Sequence, residues 1–467
     1  MKRSLSYLLP VLCILLLVEV VGGVLRAPYL TWNDIRLARA GEVLRGLPLY
    51  PGRDALGPII GTLHTPLSHL YFIPAAMLPD VTAGIVAGSL LAVLAVLIPV
   101  AWVAFRAVPG SSYGLPCFLL AAFLIIQSPG TYHVLFLIHA DAPAVGLATL
   151  GCGLLTGAGE WKRSHYWFAG LACAMSVATK QTMAPVIVAV AAYLFLAGGI
   201  RPALHFLGAA AVGGALLLAA ILIAWSAPDV LFNIWTLASS RPRKPAALQI
   251  LVTAYRDMRL DSLPALLPVL YIAVSNWRTN ARQFAQQNRW LVFALCSIFM
   301  LPVSLKAMIT IGSSVNHLGV VLYFLYIAAA LAILQSQARL FLAVGILVGI
   351  SPGLALEIVP GFTRLRSNPS QLAVDYNHRH PGHAYFPWNP EAGLYHVDGA
   401  LFDREAVGYA LTGAQLQSGL PKQFTIVAIP PGEQLTSRAL LDMTAKYRPI
   451  VDPELPGWTV LQCSKAR

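Results

Sequence analysis

Pro28-Tyr29-Leu30-Thr31-Trp32-Asn33-Asp34-Ile35-Arg36-Leu37-Ala38-Arg39-Ala40-Gly41-Glu42-Val43-Leu44-Arg45-Gly46-Leu47-Pro48-Leu49-Tyr50-Pro51 follows directly on an apolar run at about 5–25. That run is long enough to cross a bilayer. With Lys2 and Arg3 ahead of a Leu-rich core it also has the look of a signal peptide. No crisp A-x-A site precedes Pro28 and ten more apolar runs follow, so an uncleaved anchor is expected. Residues 33–45 carry helical periodicity, with Ile35, Ala38 and Val43 on one side and polar residues between. An Arg-bearing amphipathic helix beside a span tends to lie in the membrane interface, which would hold Asp34 at the lipid–water boundary. Thr31-x-x-Asp34 also fits a capping box with an acid in the first turn. Capping and catalysis are compatible, because a capping acid is rigidly placed.

The rest of the chain matches this beginning. Of 467 residues, 57% are hydrophobic and only 11% charged. Soluble domains carry about 25% charged residues, so an ordinary soluble enzyme is excluded, and so is a disordered chain. Apolar runs at about 5–25, 82–105, 113–129, 134–158, 165–181, 183–200, 203–226, 263–277, 290–310, 315–334 and 340–360 predict eleven spanning helices. Residues 1–360 hold 33 charged residues, and 361–467 hold 19. The charge density doubles, which divides the chain near Pro360-Gly361. The expected fold is an all-α polytopic membrane domain, 1–360, with a long outer loop at 26–81 carrying interfacial helices. A small extracytoplasmic α/β domain, 361–467, follows, with a strand at Phe424–Ile429 and a Pro-Pro-Gly turn after it.

Lys2 and Arg3, Arg106, Lys162-Arg163, Arg201, Arg278-Arg282-Arg289 and Arg339 fall on one side of such a bundle. The positive-inside rule makes that side cytoplasmic and places the C-terminal domain outside. The outer segments 26–81 and 227–262 carry arginines too, but long loops weigh less in that rule. The net charge of +12 therefore serves topology and lipid phosphates rather than nucleic acid. No Walker loop and no strand-borne Gly-x-Gly-x-x-Gly is present. The six cysteines show no paired or metal-binding spacing.

Three features of the first loop resemble the GT-C superfamily of membrane glycosyltransferases. They are an acid just after the first span, an amphipathic stretch ending in Gly46-Leu-Pro-Leu-Tyr50, and Thr65-Pro66-Leu67-Ser-His69-Leu-Tyr71. The resemblance is to bacterial relatives of the protein O-mannosyltransferases and to the lipid A aminoarabinose transferase. Later segments extend it: His139-Ala-Asp141-Ala-Pro, Ala178-Thr-Lys180-Gln-Thr, and Ser313-Ser-Val-Asn316-His317-Leu. The chain departs from those families in having Asn33-Asp34-Ile35 for an acid pair and Thr65-Pro66-Leu67 for a double proline.

The resemblance implies transfer of a sugar from a polyprenyl-phosphate donor to a lipid, glycan or protein acceptor hydroxyl, with inversion, at the outer face of the bacterial inner (cell) membrane. A phosphate leaves as a stable anion, so the reaction needs one base and cations for the developing charge, not the two carboxyl groups of a glycosidase. Asp34 is the candidate base. Asp141 is the second outer carboxylate, at the mouth of the fourth span, where the bland alternative is a hydrated helix end. Lys180, in a break between two spans, either snorkels or meets phosphate. Arg241, Arg243 and Lys244 form the densest basic cluster and either grip the donor phosphate or adhere to anionic headgroups. His139, His317 and His64 are further substrate-side candidates, and Lys306 is a weaker one. Glu19, inside the first span, is functional or simply hydrogen-bonded to a neighbouring helix.

A divalent cation, Mg or Mn, stays open, but only two acids are well placed, which argues against a tightly held metal. The Asn377-His378-Arg-His380-Pro-Gly-His383 run, followed by His396, reads as a solvated loop rather than a zinc site. The Tyr385–Pro390 run is a sugar-stacking surface or a packing seam. Two other function classes stay open: a transporter or flippase of lipid-linked sugars, and a non-catalytic envelope-assembly subunit. A transporter would show repeats with paired broken helices, and no repeat is visible.

Overall fold

A computed structural model describes residues 2–50, 62–107, 111–157, 161–239, 243–244, 246–276, 279–310, 316–335, 368–394, 425–435 and 438–463. The chain runs through α1 (Lys2–Arg26), α2 (Thr31–Leu44), α3 (Leu67–Leu70), α4 (Ile73–Ala76), α5 (Val81–Ala107), α6 (Ser111–Gln127), α7 (Pro129–Phe136) and α8 (Asp141–Gly153). It continues through α9 (Arg163–Thr179), α10 (Ala184–Gly198), α11 (Ile200–Ala224), α12 (Ala227–Leu231), α13 (Ala247–Ser275), α14 (Ala281–Gln287), α15 (Leu291–Met308) and α16 (Asn316–Gln335). The C-terminal part holds α17 (Pro369–Arg379), β1 (Ala384–Tyr385), α18 (Glu391–Leu394), β2 (Ile426–Ile429), α19 (Arg438–Thr444), β3 (Tyr447–Ile450) and β4 (Thr459–Cys463).

Among the described residues six helices are long and apolar enough to cross a membrane, and α6 with α7, bent by 107°, form a broken span or a re-entrant loop. The chain is a multi-pass membrane protein. Its segments fall into two compact units, one of Met1–Val24, Ala92–Ala219 and Pro242–Pro360, the other of Leu25–Leu91, Ala220–Arg241 and Gly361–Arg467. The first long loop thus packs with the C-terminal segment, although a single boundary is all that composition marks along the chain.

In the first unit α16 is enclosed on nearly every side. A helix that is apolar all round belongs in a core. Tyr323 in its middle exchanges a 2.9 Å hydrogen bond with Thr149 of α8. Gly319 and Gly130 let α16 and α7 touch backbone to backbone: a Cβ on Gly319 would come 2.1 Å from the Gly130 carbonyl oxygen. Small residues permit such approaches between membrane helices, where packing rather than water exclusion holds the bundle. By contrast α11 shows Leu216 and Ile223 to the outside, as a lipid-facing helix does.

Two expectations change here. Residues 134–158 are not one continuous helix: α7 ends at Phe136, the chain is non-helical across 137–140, and α8 starts at Asp141. Helix α13 begins at Ala247, so the helical part of the 227–262 segment is larger than its polar residues indicate. An Arg- and Asp-bearing stretch before the apolar run at 263–277 still continues that helix, because propensity tolerates charge on an open face. The run at 340–360, with Glu357, and the 360/361 boundary lie outside the described residues.

In the second unit the tail forms a four-stranded sheet in the order β1-β2-β4-β3, with β1 and β2 parallel and the other pairs antiparallel. The expected strand is β2, and Gly432, at φ +84°, supplies the left-handed residue of the turn after Pro430-Pro431. Trp388, Ile35 and Ile429 form a small core, and Trp32 meets Trp388 edge to face at 5.5 Å. The Tyr385–Pro390 run is therefore a packing seam against α2. Leu49 and Tyr50 pack with Ile221, Val230 and Trp225.

Candidate functional site

Helix α2 starts at Thr31 with Leu30 as its N-cap and no side-chain cap. Leu30, not Thr31, is thus the cap position, and Asp34 stands in the first turn as expected. The helix closes at Gly46, at φ +69°, where the Gly46 and Leu47 amides return to the Val43 and Glu42 carbonyls. Such a left-handed close is the usual helix end at glycine.

Nor does α2 lie half-exposed in an interface. Asp34 is 0% exposed, and Asn33, Arg39 and Glu42 are buried with it. Periodicity marks which side is apolar, not whether a protein surface covers the other side. What covers Asp34 is the corner from Asn389 to Glu391. The Glu391 amide donates to Asp34 Oδ1 at 2.9 Å, and the Asn389 side-chain amide to Oδ2 at 3.3 Å. Asn389 also reaches Ser370 Oγ at 3.2 Å. Arg39 and Glu42 form a buried pair at 3.7 Å one turn along. A carboxylate shut away from water is costly unless it is hydrogen-bonded, and these two donors come from more than 350 residues downstream. Glu391, itself 4% exposed, has its acidity weakened well above the usual carboxylate range. Burial is the main cause, and the Asp34 charge adds to it. Asn389, Glu391 and Ser370 were not legible as site residues. Of the three, only Asn389 falls within the aromatic, Pro-rich run Tyr385–Pro390.

The second constellation lies in the first unit, at two helix breaks. Asp141 is the first residue of α8 and is 1% exposed. Lys180 sits in extended backbone between α9 and the 3-10 turn Gln181–Met183, and is 2% exposed. Its Nζ is ion-paired with Asp141 Oδ1. His139 Nδ1 lies 2.6 Å from Asp141 Oδ2, so the histidine is a hydrogen-bonding partner, the more prosaic of its two readings. His317 and the unforeseen His133 stand close enough to feel the Asp141 charge. Asp141 is therefore no hydrated helix end. Lys180 does not snorkel, and its charge faces Asp141.

The basic cluster is tied to the end of α15. Arg243 forms an isolated bridge with Thr310, and the Lys244 amide donates to the Ile309 carbonyl at 2.8 Å. Arg243 and Lys306 are exposed and Lys244 is half-buried, so three cations share one surface. Arg241 lies outside the described residues. His64 is half-buried beside Thr62 and Tyr50, whose hydroxyl donates to its carbonyl at 2.8 Å. Glu19 accepts a 2.7 Å hydrogen bond from Gln127 of α6, the helix-pairing alternative. Asp141, Lys180, His139 and His317 thus gather in the first unit. Asp34 and His64 belong to the second.

Among the described residues no group of three or more His, Cys, Asp or Glu is placed to hold a metal ion. Of the tail histidines, His378 is exposed in the last turn of α17, His383 is exposed in the turn that follows, and His380 pairs with Glu454 at 2.9 Å. That contact, with Arg379 beside it, draws the Glu454 carboxyl below its usual range. His396 lies outside the described residues.

The sequence matches no family model and no curated protein. The fold matches solved structures over nearly the whole chain. ArnT from Cupriavidus metallidurans in the apo state superposes with a TM-score of 0.58 at 11% identity, covering 98% of each chain. The same protein bound to undecaprenyl phosphate gives 0.56 at 11% identity, over 99% of this chain and 98% of that one. The fold is like that of ArnT. An archaeal oligosaccharyltransferase from Archaeoglobus fulgidus reaches only 0.45, over 79% of this chain and 57% of its own, below the level at which a common fold is read. At 11% identity the likeness to ArnT is one of fold, and side-chain roles rest on the geometry above.

Proposed function

We propose that this chain is an integral membrane glycosyltransferase, moving a sugar from a polyprenyl-phosphate donor to an acceptor hydroxyl of the cell envelope on the extracytoplasmic side. The observation that carries the reading is Asp34. It is a carboxylate wholly withdrawn from water, in the first loop of an ArnT-like fold, oriented by two donors from the far end of the chain. Intramembrane or interfacial acids held at such cost are functional by default. The undecaprenyl phosphate in one ArnT structure favours the same class of carrier lipid here.

In this reading the acceptor oxygen attacks the anomeric carbon as its proton passes to Asp34. The bond from that carbon to the phosphate oxygen breaks, and the lipid phosphate departs. A single displacement inverts the anomeric centre. Arg243 and Lys306, exposed, and Lys244, half-buried, are cations suited to the phosphate as point charges and donors. Asp141 and Lys180 form a neutral pair that joins the two helix breaks, with His139 fixed on Asp141. A hydroxyl-poised base is worth about 10²–10⁴-fold in rate.

The test is transfer from a mixed pool of polyprenyl-phosphate sugars in membranes, wild type against folded Asp34→Asn. Transfer by wild type and a loss of about 10²-fold or more in the variant is expected. Equal rates in both would remove Asp34 from the chemistry. No transfer from any donor, with lipid-linked sugar crossing vesicles instead, would overturn the transferase reading in favour of a flippase.

A further inference from the structure

Several basic residues of the first unit, far apart in the chain, meet at one end of its bundle. Arg106 stands in the last turn of α5, against the turn that follows α8. Glycines permit that approach: a Cβ on Gly153 would fall 2.5 Å from the Trp102 ring, and one on Gly157 2.9 Å from Arg106 Nε. The Arg106 guanidinium lies over Trp102, 5.3 Å from the ring centroid. Its Nε is shut off from solvent, with no hydrogen-bond partner among the described residues. A cation stacked on an indole is held in place, so this half-buried group is not an arginine snorkelling freely to water. Trp161 ties the same turn down, its Nε1 donating to the Leu155 carbonyl at 2.9 Å. Lys162 and Arg163 follow it, both exposed. The Lys162 amide donates to His165 Nδ1 at 3.2 Å, so a neutral His165 carries its proton on Nε2 as a further donor. Tyr166 stacks on His205 at 6.3 Å, and His205 Nδ1 donates to the Arg201 carbonyl at 2.8 Å. These contacts bring the start of α11, with its exposed Arg201, to the same end.

Among the described residues none of Arg106, Lys162, Arg163 and Arg201 is paired with a carboxylate. The chain between Asp80 and Asp229 holds only two acids, Asp141 and Glu160. Asp141 sits at the far end of α8, paired with Lys180. Glu160 lies outside the described residues, and a single carboxylate neutralises one cation of the four. Phe105, adjoining Arg106, and Trp167 and Phe168, in the turn after His165, are exposed at 52%, 41% and 61%. Outward-facing aromatics beside cations mark the level of the lipid headgroups. The surplus positive charge thus stands at the depth of phosphate, with apolar flanks next to it.

We propose that Arg106, Lys162, Arg163, His165 and Arg201 bind the phosphate headgroup of an anionic phospholipid, whose acyl chains lie on the outward-facing aromatics. Guanidinium donors match phosphate oxygens, and basic pockets between spanning helices take anionic headgroups. This site is separate from the transfer chemistry. Helices α8 and α9 carry Asp141 and Lys180 at their other ends, about 20 Å off along the 13 residues of α8. Binding here is independent of whether the chain transfers a sugar.

The test is native mass spectrometry of the full-length protein in detergent, titrated with phosphatidylglycerol and, separately, with phosphatidylcholine. Wild type is expected to hold phosphatidylglycerol at least about tenfold more tightly. Arg106→Gln should weaken that binding about fivefold or more, and Arg106→Lys, which keeps the charge without the fork, by less. Lys162→Gln/Arg163→Gln, two exposed changes, should weaken it too and serves where Arg106→Gln does not fold, as judged by size-exclusion profile. Arg282→Gln, which removes an exposed cation of α14, should leave the affinity unchanged. Equal losses in Arg106→Gln and Arg282→Gln would overturn the proposal, because a diffuse positive field depends on the number of charges and not on their places. Equal binding of the two lipids would overturn it as well. So would displacement of the lipid by millimolar inorganic phosphate, which would reassign the cluster to a free anion.

Discussion

The Asp141–Lys180 pair offers a sign test of how this bundle treats buried charge. Lys180→Met removes the cation and leaves Asp141 in a dry site, 1% exposed, with His139 against it and His317 nearby. Asp141→Asn leaves the mirror problem, an ammonium 2% exposed without its Asp141 counter-charge. Breaking a buried pair from one side costs about 3–5 kcal/mol, because the orphaned charge keeps its desolvation penalty. Removing both charges abolishes that penalty, and replacing buried pairs with uncharged side chains is often neutral. The double variant Asp141→Asn/Lys180→Met should therefore lie within about 2 kcal/mol of wild type and be more stable than either single variant. The assay is thermal or denaturant unfolding of the detergent-solubilised proteins, with the four members of the cycle run side by side. Costs that simply add, to within about 0.5 kcal/mol, would refute the reasoning, because independent sites add. Asp141 and Lys180 would then not be coupled in the folded protein.

Three more outcomes follow from the packing. Gly319→Ala puts a Cβ 2.1 Å from the Gly130 carbonyl oxygen, backbone that cannot yield like a side-chain tip. It should cost about 1–3 kcal/mol by overpacking and lower the folded yield in membranes, as read by unfolding and size-exclusion profiles. Trp388→Ala empties the seam between Ile35, Ile429 and Trp32 and should cost about 3–5 kcal/mol in the second unit, seen as earlier proteolysis of the tail. Glu391 has a folded-state affinity for its proton above that of the unfolded chain. The native state thus binds more protons than the unfolded state at any pH above about 4.3, the unfolded value, until Glu391 itself ionises, and stability falls as pH rises through that window. Glu391→Gln should flatten that fall, and parallel stability curves for the two proteins would contradict it.

Much of this was legible in residue order. Long apolar runs with few charges admit only spanning helices, so the membrane class and most helix positions follow from hydropathy. The break at Lys180 shows as a polar interruption, and β2 with its Pro-Pro-Gly turn as a local signal. The first-loop helix is visible in its periodicity, and Gly46 marks its end. Some boundaries were hidden. The interruption at 137–140 is itself apolar, Leu137-Ile138 before His139-Ala140, so hydropathy runs through it. Helix α13 runs on through Arg256, Asp257, Arg259 and Asp261, whose charges look like loop.

Local pattern alone therefore determined that this chain lives in a bilayer, that an acid stands just after its first span, and that a more highly charged, mixed α/β tail follows. Only tertiary structure decided what those acids meet. Asp34 looks exposed on an amphipathic helix because periodicity records one helix's faces. It is buried because a corner some 355 residues away closes over it with Asn389 and Glu391. Lys180 reads as a free cation until the fold sets it on Asp141, 39 residues earlier. The charge state of a side chain is set by its solvent and its nearest opposite charge, and both are properties of the assembled fold rather than of neighbours in the chain.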